Sequence, residues 1–501
     1  MHTVPREIQM RQVPHFARLD REHGARVAKA LGLPKPVVDG RQLPIRTGLE
    51  PVSGVPSLPR RRARVSETGS KARRPTSRCE PDMRICILTL GSRGDVQPYL
   101  ALARGLDAAG HRTTICGTPA FRPFVESYGL EFASFDTGDP QALLRSPEGQ
   151  AVFRSARNPV ALFRGLCRLL EPVLEKGYTE ACQATEGADA LLVSPGALPI
   201  AHALHEQRGI PFAGAFLQPN HPTSAFGSWL FPEVPAWLPF RGSLRRASYS
   251  ATWHVLFRII RAANDGARSR VLGLGPAANP FAVMLRERWP TLYGFSSAVV
   301  PRPPDWGSEL ALTGYWFLDR PVSWSPPREL TDFLAAGPAP ICVGFGSMPS
   351  TDPEQTTELF ARALALAGLR GILLTGWGGL ARAKLPDSML ALESAPHDWL
   401  FPRVAAVVHH GGAGTTAAAL RAGVPALVIP FIADQRFWGQ QLTALGAGLG
   451  PLSRRRLTAE RLAEALRALV ENPAFRTRAA QIGASLARED GVARAVAALP
   501  F

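Results

Sequence analysis

The chain has 501 residues, of which 46% are hydrophobic, with a mean hydropathy of −0.01 and a formal net charge of +16 at pH 7. This length predicts two or three domains with a substantial core, and the lack of any apolar run near the ~18 residues of a membrane-spanning helix argues against an integral membrane protein. The six cysteines have no CxxC spacing, which argues against a zinc site or a disulfide framework and favours a cytoplasmic, reduced protein.

The positive charge is concentrated in residues 1–82, which contain 17 Lys and Arg against 8 Asp and Glu. The segment is rich in proline and lacks hydrophobic periodicity, so it is predicted to be a disordered basic extension. Three interpretations stay open: a mis-assigned start with Met83 as the true first residue, a solvated tail, or a tether to anionic lipid or nucleic acid. Because the extension holds more than half of the excess charge, nucleic-acid binding is not expected of the folded part.

The chain after Met83 begins with a strand-helix-strand unit. Residues 84–90 form an apolar strand of the buried parallel type, residues 99–109 a helix, and residues 111–117 the next strand. The intervening turn, GSRGDVQP, places Asp95 at a helix N-terminus. From local sequence alone, capping of that helix is the simplest role for this carboxylate.

Two later features of the first domain are candidates for ligand contact. His221 lies in a loop after a predicted strand, although a lone loop histidine is more often a structural hydrogen-bonding group. Residues 226–240 hold five large aromatic side chains among prolines and glycines, which exclude a long helix, and Arg241, Arg245 and Arg246 follow. The stretch either packs on its own core or forms an apolar acceptor wall or membrane contact, with the arginines meeting lipid headgroups.

Strands continue to alternate with helices to the end of the chain, which predicts two α/β domains with parallel sheets. A Pro- and Ser-rich stretch marks the connection between them. The predicted boundaries are a first domain at 83–316, a linker at 317–337, a second domain at 338–485 and a last helical segment at 486–501.

The second domain contains a strand, a glycine-rich turn and a helix in close succession. Residues 404–408 form an apolar strand that runs through two histidines into the turn GGAGTT before the helix. Backbone N–H groups at such a helix N-terminus form a cradle for a phosphate group, and His410 lies where a ring nitrogen can donate to a phosphate oxygen. A tight connection with nothing bound is the alternative interpretation.

Polar residues follow the two neighbouring strands. Asp434 and Gln435 come after the strand at residues 426–430, and Ser347 comes after the strand that begins near residue 340. Because the ends of parallel strands share one edge of a sheet, these side chains are expected beside the cradle. Asp434 and Gln435 can bind hydroxyl groups there, and Ser347 can hold a diphosphate from the other side. A phosphate cradle beside a hydroxyl-binding pair indicates a nucleotide sugar.

These residues carry a family resemblance that runs from about Met83 to the C-terminus. HHGGAGTT followed by PFIADQ resembles the donor-binding signature of the glycosyltransferases that use UDP- or TDP-sugars. PHDWLFPRVAAVVHHGGAGTT and GSRGDVQP resemble more closely the sterol 3-beta-glucosyltransferases and their bacterial relatives. The resemblance implies the GT-B architecture, two facing Rossmann-like doubly wound domains with a cleft between them, and a last helix that crosses back to the first domain.

The resemblance also implies roles for single residues. Asp95 is the expected general base for the acceptor hydroxyl, with His221 as the second candidate. Relatives of the plant type carry a tryptophan at the position of Ser394, so the uracil is expected on backbone groups near His397, with Trp377 or Trp399 as the stacking ring. The expected donor-binding residues are Ser347, Pro396, His397, His410, Gly412, Gly414, Thr415, Asp434 and Gln435.

The reaction implied by the resemblance is an inverting transfer of a hexose, with UDP-glucose as donor and a sterol-like lipid as acceptor. No metal and no cofactor are expected, since the sequence has no DxD triplet and the helix N-termini take the place of a divalent ion. Such an enzyme is expected in the cytoplasm or peripherally on the inner face of the membrane. The alternatives are a transferase acting on a natural-product aglycone or glycolipid precursor, and a nucleotide-sugar epimerase or hydrolase on the same fold.

Overall fold

A computed structural model describes residues 82–136, 138, 147, 159–348, 352–376, 380 and 385–501, with only the backbone for residues 159–168. The predicted basic extension, apart from Asp82, lies outside the described residues, and so does Trp377.

The first domain is built on a parallel sheet of seven strands in the described part of the chain. The strands are β1 (Arg84–Leu88), β2 (Arg112–Gly117), β3 (Glu131–Ser134), β4 (Ala190–Val193), β5 (Phe212–Phe216), β6 (Thr291–Tyr293) and β7 (Leu310–Leu312). They pair in the order β3-β2-β1-β4-β5-β6-β7. The central strands are apolar on both faces because helices cover both sides of the sheet. The order reverses between β1 and β4, which is where open α/β sheets bind their ligands.

Helices connect and cover these strands. They are α1 (Arg93–Ala108), α2 (Arg122–Glu126), α3 (Pro159–Ala184), α4 (Leu198–Arg208), α5 (Arg241–Leu272) and α6 (Pro280–Glu287). Helix α1 begins six residues before the predicted start, because Ser92 and Asp95 form a capping box ahead of Pro98. The proline therefore lies inside the helix instead of starting it. Residues 226–240 form no helix or strand, as their prolines and glycines predicted.

The second domain has a smaller parallel sheet. Its strands are β8 (Ile341–Gly344), β9 (Gly371–Leu374), β10 (Met389–Leu392), β11 (Ala406–His409) and β12 (Ala426–Val428), paired in the order β10-β9-β8-β11-β12. The helices that follow the first domain are α7 (Arg328–Ala335), α8 (Pro353–Ala367), α9 (His397–Leu400), α10 (Ala413–Arg421), α11 (Gln435–Ala444), α12 (Ala459–Glu471), α13 (Pro473–Leu486) and α14 (Gly491–Ala497). The order reverses between β8 and β11, so this sheet also has one switch point.

The end of the chain packs on the first domain. Helix α14 is separate from α13, because Asp490 accepts a hydrogen bond from the N–H of Ala493 (2.8 Å) and caps a new helix start. Ala495 and Leu499 are buried in the core of the first domain, and Val492 lies against Gly105 of α1. Helix α1 also packs against α10 of the second domain. The switch points of the two sheets are thereby held on the two sides of one cleft.

Two doubly wound parallel sheets confirm the predicted α/β class with two Rossmann-like domains. Within the described residues, no helix is both long enough and apolar enough to cross a bilayer.

Candidate functional site

The glycine-rich turn after β11 is locked in one conformation. His409 is fully buried, and its Nδ1 accepts a hydrogen bond from the N–H of Gly411 (3.0 Å). Gly411 has φ +97°, and a Cβ there would lie 2.6 Å from the carbonyl oxygen of Gln435 and 2.7 Å from Val428 Cγ1. Only glycine fits such a position, because both its conformation and its surroundings exclude a side chain. The turn therefore fixes the orientation in which α10 begins.

The N-terminus of α10 is open. Gly412 occupies the capping position, and no side chain caps the first turn. Gly414 is exposed, with no atom within 4 Å of the position that a Cβ would take. The hydroxyl of Thr415 has no partner among the described residues, whereas that of Thr416 donates to the carbonyl of Gly412 (2.9 Å). Unpaired N–H groups and the positive end of the helix dipole make this surface suited to an anion.

His410 lies between the two turns of the second sheet. A Cβ at Gly412 would lie 2.5 Å from its Nε2, and a Cβ at Gly346 would lie 3.3 Å from its Cε1. Burial lowers the pKa of His410 to about 4, so the ring is neutral at pH 7 and carries one N–H. Its buried Nδ1 has no hydrogen-bond partner among the described residues. An orphaned buried nitrogen beside an open helix start indicates that a ligand completes this site.

Ser347 stands on the other side of His410, in the turn after β8. Gly346 has φ +58°, and its carbonyl packs so closely on Gly376 that a Cβ there would be 2.7 Å away. The hydroxyl of Ser347 has no partner among the residues that the structure describes. Gly346, which precedes Ser347, and Gly412 at the start of α10 therefore both lie beside His410 at the switch point.

The loop predicted to hold the nucleobase carries a neutral histidine. Pro396 precedes α9, and the ring of His397 stacks on Phe401 with centroids 4.3 Å apart. Burial lowers the pKa of His397 to about 4, helped by the positive charge of Arg93 and by the neighbouring ring of His410. The ring of Trp399 carries the guanidinium of Arg403 over one face, 4.2 Å from its centroid. The structure thus leaves Trp399 less free to stack on a base than the sequence suggested.

Asp434 is held by a residue that the sequence analysis missed. The Nε1–H of Trp438, one turn further along α11, donates to Oδ2 of Asp434 (2.7 Å). The pKa of Asp434 is raised to about 6, mainly by burial and to a smaller degree by the charge of Asp95, while the hydrogen bond from Trp438 opposes the shift. Trp438 is fully buried. The four-residue spacing on a helix was the signal that could have identified it.

The side chain of Gln435, unlike that of Asp434, is engaged with the backbone of the preceding loop. Its Oε1 accepts hydrogen bonds from the N–H groups of Phe431 (2.6 Å) and Ile432 (3.0 Å), and its Nε2 lies 3.4 Å from the sulfur of Met348. The side chain is buried. Gln435 therefore fixes the loop between β12 and α11, and its carbonyl oxygen is already used within the protein.

Asp95 faces the cleft from the first domain. Its Oδ2 accepts from the N–H (2.7 Å) and the hydroxyl (3.0 Å) of Ser92, which is the capping role expected from local sequence. No described residue donates to its other oxygen, Oδ1. Burial raises the pKa of Asp95, while the two hydrogen bonds from Ser92 lower it. The carboxyl group thus combines a cap with one free oxygen.

The second candidate base, His221, has another environment. Its Nδ1 and the hydroxyl oxygen of Tyr293 are 2.6 Å apart, and that hydroxyl also accepts from the N–H groups of Asn220 and His221 (both 3.1 Å). The ring is buried, and burial lowers its pKa to about 4. The hydroxyl proton of Tyr293 is therefore directed to Nδ1, and His221 serves as part of a buried hydrogen-bond network in the first domain.

The aromatic stretch 226–240 reaches both the cleft and the solvent. The ring of Phe226 contacts that of Phe437 on α11, with centroids 5.3 Å apart, while Trp237 and Phe240 are 73% and 82% exposed. The following arginines differ from the expectation that they are free for lipid headgroups. Two of them pair with Glu233 and one with Asp305. Two carboxylates thus offset part of the charge of the three arginines.

Comparisons with known proteins identify related sequences over most of the chain. Residues 85–227 match the glycosyltransferase family 28 N-terminal domain, and residues 378–498 match the erythromycin biosynthesis protein CIII-like C-terminal domain. A sterol 3-beta-glucosyltransferase of Cryptococcus neoformans var. neoformans is 36% identical over 444 residues, which are 83% of this chain but 27% of that protein. The sterol 3-beta-glucosyltransferase UGT80B1 of Arabidopsis thaliana is 35% identical over 443 residues, 86% of this chain and 69% of that protein.

A solved structure has the same architecture. The glycotransferase of kitacinnamycin superposes with a TM-score of 0.60 at 21% identity, over 83% of this chain and 98% of that one. The likeness confirms the predicted GT-B fold.

Proposed function

This chain belongs to the family of the sterol 3-beta-glucosyltransferases, and on that premise we propose that it transfers a hexosyl group from a nucleotide diphosphate sugar to a hydroxyl group of a sterol-like lipid. One observation carries the proposal. The carboxyl groups of Asp95 and Asp434, from opposite domains, lie close enough for the charge of Asp95 to raise the pKa of Asp434. A proton acceptor and a hydroxyl-binding group are thus near one another, and both belong to the domain ends that hold the open anion cradle.

The diphosphate of the donor lies on the start of α10. Its negative charge grows as the bond between the anomeric carbon and the phosphate oxygen breaks, and the N–H groups of Gly414 and Thr415 are fixed in place before this happens. The neutral ring of His410 donates its N–H from one side, and the hydroxyl of Ser347 from the other. This arrangement supports departure of the nucleotide without a divalent ion.

The sugar is oriented by Asp434. The oxygen Oδ2 is held by Trp438, so Oδ1 is left to accept hydrogen bonds from sugar hydroxyl groups. A site that pairs its buried carboxylate with substrate hydroxyls discriminates strongly against sugars that lack them, because the carboxylate is then left unpaired. We assign glucose as the sugar and UDP as the nucleotide on the family relationship.

The acceptor hydroxyl is activated by Asp95. Its free Oδ1 takes the proton as the acceptor oxygen attacks the anomeric carbon from the face opposite the diphosphate, so one C–O bond forms while the other breaks. Burial raises the pKa of this carboxyl group, which makes it a stronger base than an exposed aspartate. Attack from the opposite face inverts the configuration at the anomeric carbon.

The lipophilic acceptor is received by the aromatic stretch 226–240. Phe226 meets Phe437 next to the sugar-binding loop, and the exposed rings of Trp237 and Phe240 continue this apolar surface outward. Large exposed aromatic side chains are typical of binding sites and of membrane interfaces. The same surface suits a sterol entering from a lipid phase.

The direct test incubates the purified full chain with UDP-glucose and a 3-hydroxysterol and detects the product by mass spectrometry. We expect a monoglucoside whose anomeric configuration is opposite to that of the donor, formed equally well with a metal chelator present. TDP-glucose and a polyketide aglycone serve as competing donor and acceptor. Free glucose from UDP-glucose with no glycoside from any acceptor would instead indicate a hydrolase and overturn the proposal.

A further inference from the structure

A second cleft opens beyond the edge of the smaller sheet. Strand β12 is the edge strand, and residues 448–452 run along it, with the N–H of Leu452 donating to the carbonyl of Val428 (2.9 Å). Outside this segment lies a cleft of about 710 Å³. The phosphate cradle lies at the junction of β8 and β11, so the two sites are separated by β12 and the loop that follows it. The residues lining the cleft include Phe431, Arg436, Gln440, Ser453, Arg454 and Arg455.

Three guanidinium groups from two segments converge on this cleft. Arg436 lies in the first turn of α11, with Gln440 one turn further on the same face, while Arg454 and Arg455 come from the turn at residues 454–456. Among the described residues, none of the three arginines has a carboxylate within ion-pair distance. Elsewhere on the surface such pairs are common, as between Arg362 and Glu460 (2.6 Å). The cleft therefore concentrates positive charge that the protein itself does not neutralise.

One of the three arginines is also partly fixed in place. The guanidinium of Arg454 lies over the ring of Phe431, 4.0 Å from its centroid, and this ring packs in turn on Phe345 of the core. A cation held over an aromatic face has less freedom to move than a solvated side chain. Guanidinium groups bind phosphate oxygens through paired N–H donors, and Gln440 and Ser453 add neutral donors beside them.

An exposed apolar side chain stands next to the cleft. Ile432 follows Phe431 directly and is 60% exposed at the tip of the loop. Basic groups beside an exposed apolar side chain suit an anionic lipid, whose phosphate meets the arginines while its chains meet the apolar residue. Two residues of the arginine run at 454–456 thus line this cleft.

We propose that this three-arginine cleft is a binding site for a phosphate-bearing ligand, distinct from the donor cradle. The phosphate belongs either to the headgroup of an anionic lipid or to a soluble phosphate compound. The proposal is independent of the transfer reaction, although an anionic lipid held here would place the sugar-binding domain at the surface that supplies a lipophilic acceptor.

The test compares two triple variants of the full chain. The first carries Arg436→Gln, Arg454→Gln and Arg455→Gln. The control carries Arg112→Gln, Arg286→Gln and Arg328→Gln, whose side chains are 71%, 71% and 93% exposed and each lie beside a carboxylate. Both variants lose the same charge and keep both the donor cradle and residues 1–81, so any binding by those parts is common to them.

Two probes distinguish the sources of phosphate. Sedimentation with vesicles of phosphatidylcholine, with and without phosphatidylglycerol, tests the lipid, and calorimetric titration with inorganic pyrophosphate tests the soluble ligand. We expect the cleft variant to bind at least one probe roughly tenfold or more weakly than the control does. Loss confined to vesicles identifies the lipid, and loss confined to pyrophosphate identifies the soluble compound. Equal binding of both probes by the two variants would overturn the proposal. UDP binding by the cleft variant reports separately on the donor cradle.

Discussion

Strand β1 of the first sheet and strand β11 of the second are each followed by a tight turn and a helix. The two helix N-termini differ in how they are capped. After β1, the carboxyl group of Asp95 folds back onto the N–H of Ser92 (2.7 Å) and occupies the start of α1. After β11, Gly412 offers no side chain, and the start of α10 stays open. Two positions, the N-cap and the third residue of the helix, thus decide whether a switch point presents a carboxylate or receives an anion: they are Ser92 and Asp95 in α1, but Gly412 and Thr415 in α10.

The difference assigns complementary roles to the two halves of the cleft. A helix start that carries its own carboxylate is already neutralised and repels a diphosphate, whereas an uncapped one attracts it. The domain with the capped helix is therefore suited to accept a proton, and the domain with the bare helix is suited to hold a leaving group.

The largest effect is expected from Asp95→Asn. The amide oxygen can still accept from the N–H of Ser92, so the cap is kept while the proton acceptor is lost. We expect the turnover rate to fall by roughly 10²–10⁴-fold, the usual contribution of a general base. The affinity for UDP, measured by calorimetry, should not change because the open helix lies in the other domain.

The matched control is Ser92→Ala, which removes the capping hydroxyl and leaves the carboxylate. It should cost roughly 0.5–1 kcal/mol of stability and change turnover only slightly. If Asp95→Asn turned over substrate at a nearly normal rate, Asp95 would be a helix cap and nothing more.

The second prediction uses a pair of glycines at equivalent places. Gly94 and Gly414 are each the second residue of their helix, α1 and α10 respectively. A Cβ at Gly94 would meet nothing closer than Ser92 Oγ at 3.7 Å, and a Cβ at Gly414 would meet nothing within 4 Å. Alanine should therefore be tolerated at both and should stabilise both helices by roughly 0.5 kcal/mol.

Binding of the donor should separate the two variants. A methyl group at the open helix start keeps the diphosphate from the N–H groups. Losing one hydrogen bond to a charged group corresponds to roughly 10–100-fold in affinity. Gly414→Ala should thus raise the melting temperature and weaken UDP binding, while Gly94→Ala raises it and leaves UDP binding intact. Equal UDP affinities in the two variants would place the diphosphate elsewhere.

The fold and the open helix start were predictable because they depend on local patterns. Apolar strands alternating with helices predicted two doubly wound domains, and the glycines of the turn predicted an open helix start. The capping role of Asp95 was also predictable from its position before a helix. These features follow from backbone geometry and residue type within a few positions of one another.

Features that depend on tertiary contacts were not predictable. Gln435 looked free to bind a sugar, but the loop before it turns back so that two N–H groups point at its carbonyl oxygen. Trp438 looked like an ordinary core residue, although its N–H holds Asp434. Arg436 and Arg454 lie far apart in sequence and meet only because residues 448–452 run beside β12. In each case the hydrogen-bond or contact partner is set by the tertiary structure and not by the local sequence pattern.

The third prediction concerns the hydrogen bond from Trp438 to Asp434. Trp438→Phe keeps a ring against Phe295 of the first domain, with which the native ring makes an edge contact at 6.2 Å, but removes the N–H donor. Since that bond favours the ionised carboxylate, its loss should raise the pKa of Asp434 further above about 6. The acid limb of kcat/KM for the donor should move upward by roughly one pH unit, with roughly tenfold loss near pH 6 and little near pH 8.

Phe437→Leu is the control for this variant. It alters the neighbouring ring on the same helix, which contacts Phe226, and touches no polar group on Asp434. Its acid limb should stay in place even if its activity falls. If the acid limb of the kcat/KM profile did not move in Trp438→Phe, the indole would contribute packing only and would not control the pKa of Asp434.

The smallest effect is expected in stability, and it compares the two carboxylates. The folded-state pKa of Asp434 is about 6, above the usual 3.8, because of burial. The stability associated with its protonated form is therefore complete below about pH 3.8 and is lost as pH rises through about 6. Asp434→Asn removes this pH dependence. Between pH 4 and pH 8, its free energy of unfolding should therefore rise relative to that of wild type by roughly 1–3 kcal/mol. Asp95→Asn should gain less, because two hydrogen bonds from Ser92 already stabilise the charged form.

Urea unfolding of both variants and wild type at the two pH values measures these differences. If the unfolding free energy of Asp434→Asn gained no more than that of Asp95→Asn, the folded protein would stabilise the two ionised carboxylates equally well. The two halves of the cleft would then differ only at their helix N-termini. If the larger gain is found, Asp434 is destabilising in its ionised form without ligand. Sugar hydroxyl groups would then supply the hydrogen bonds that the folded protein leaves unmade.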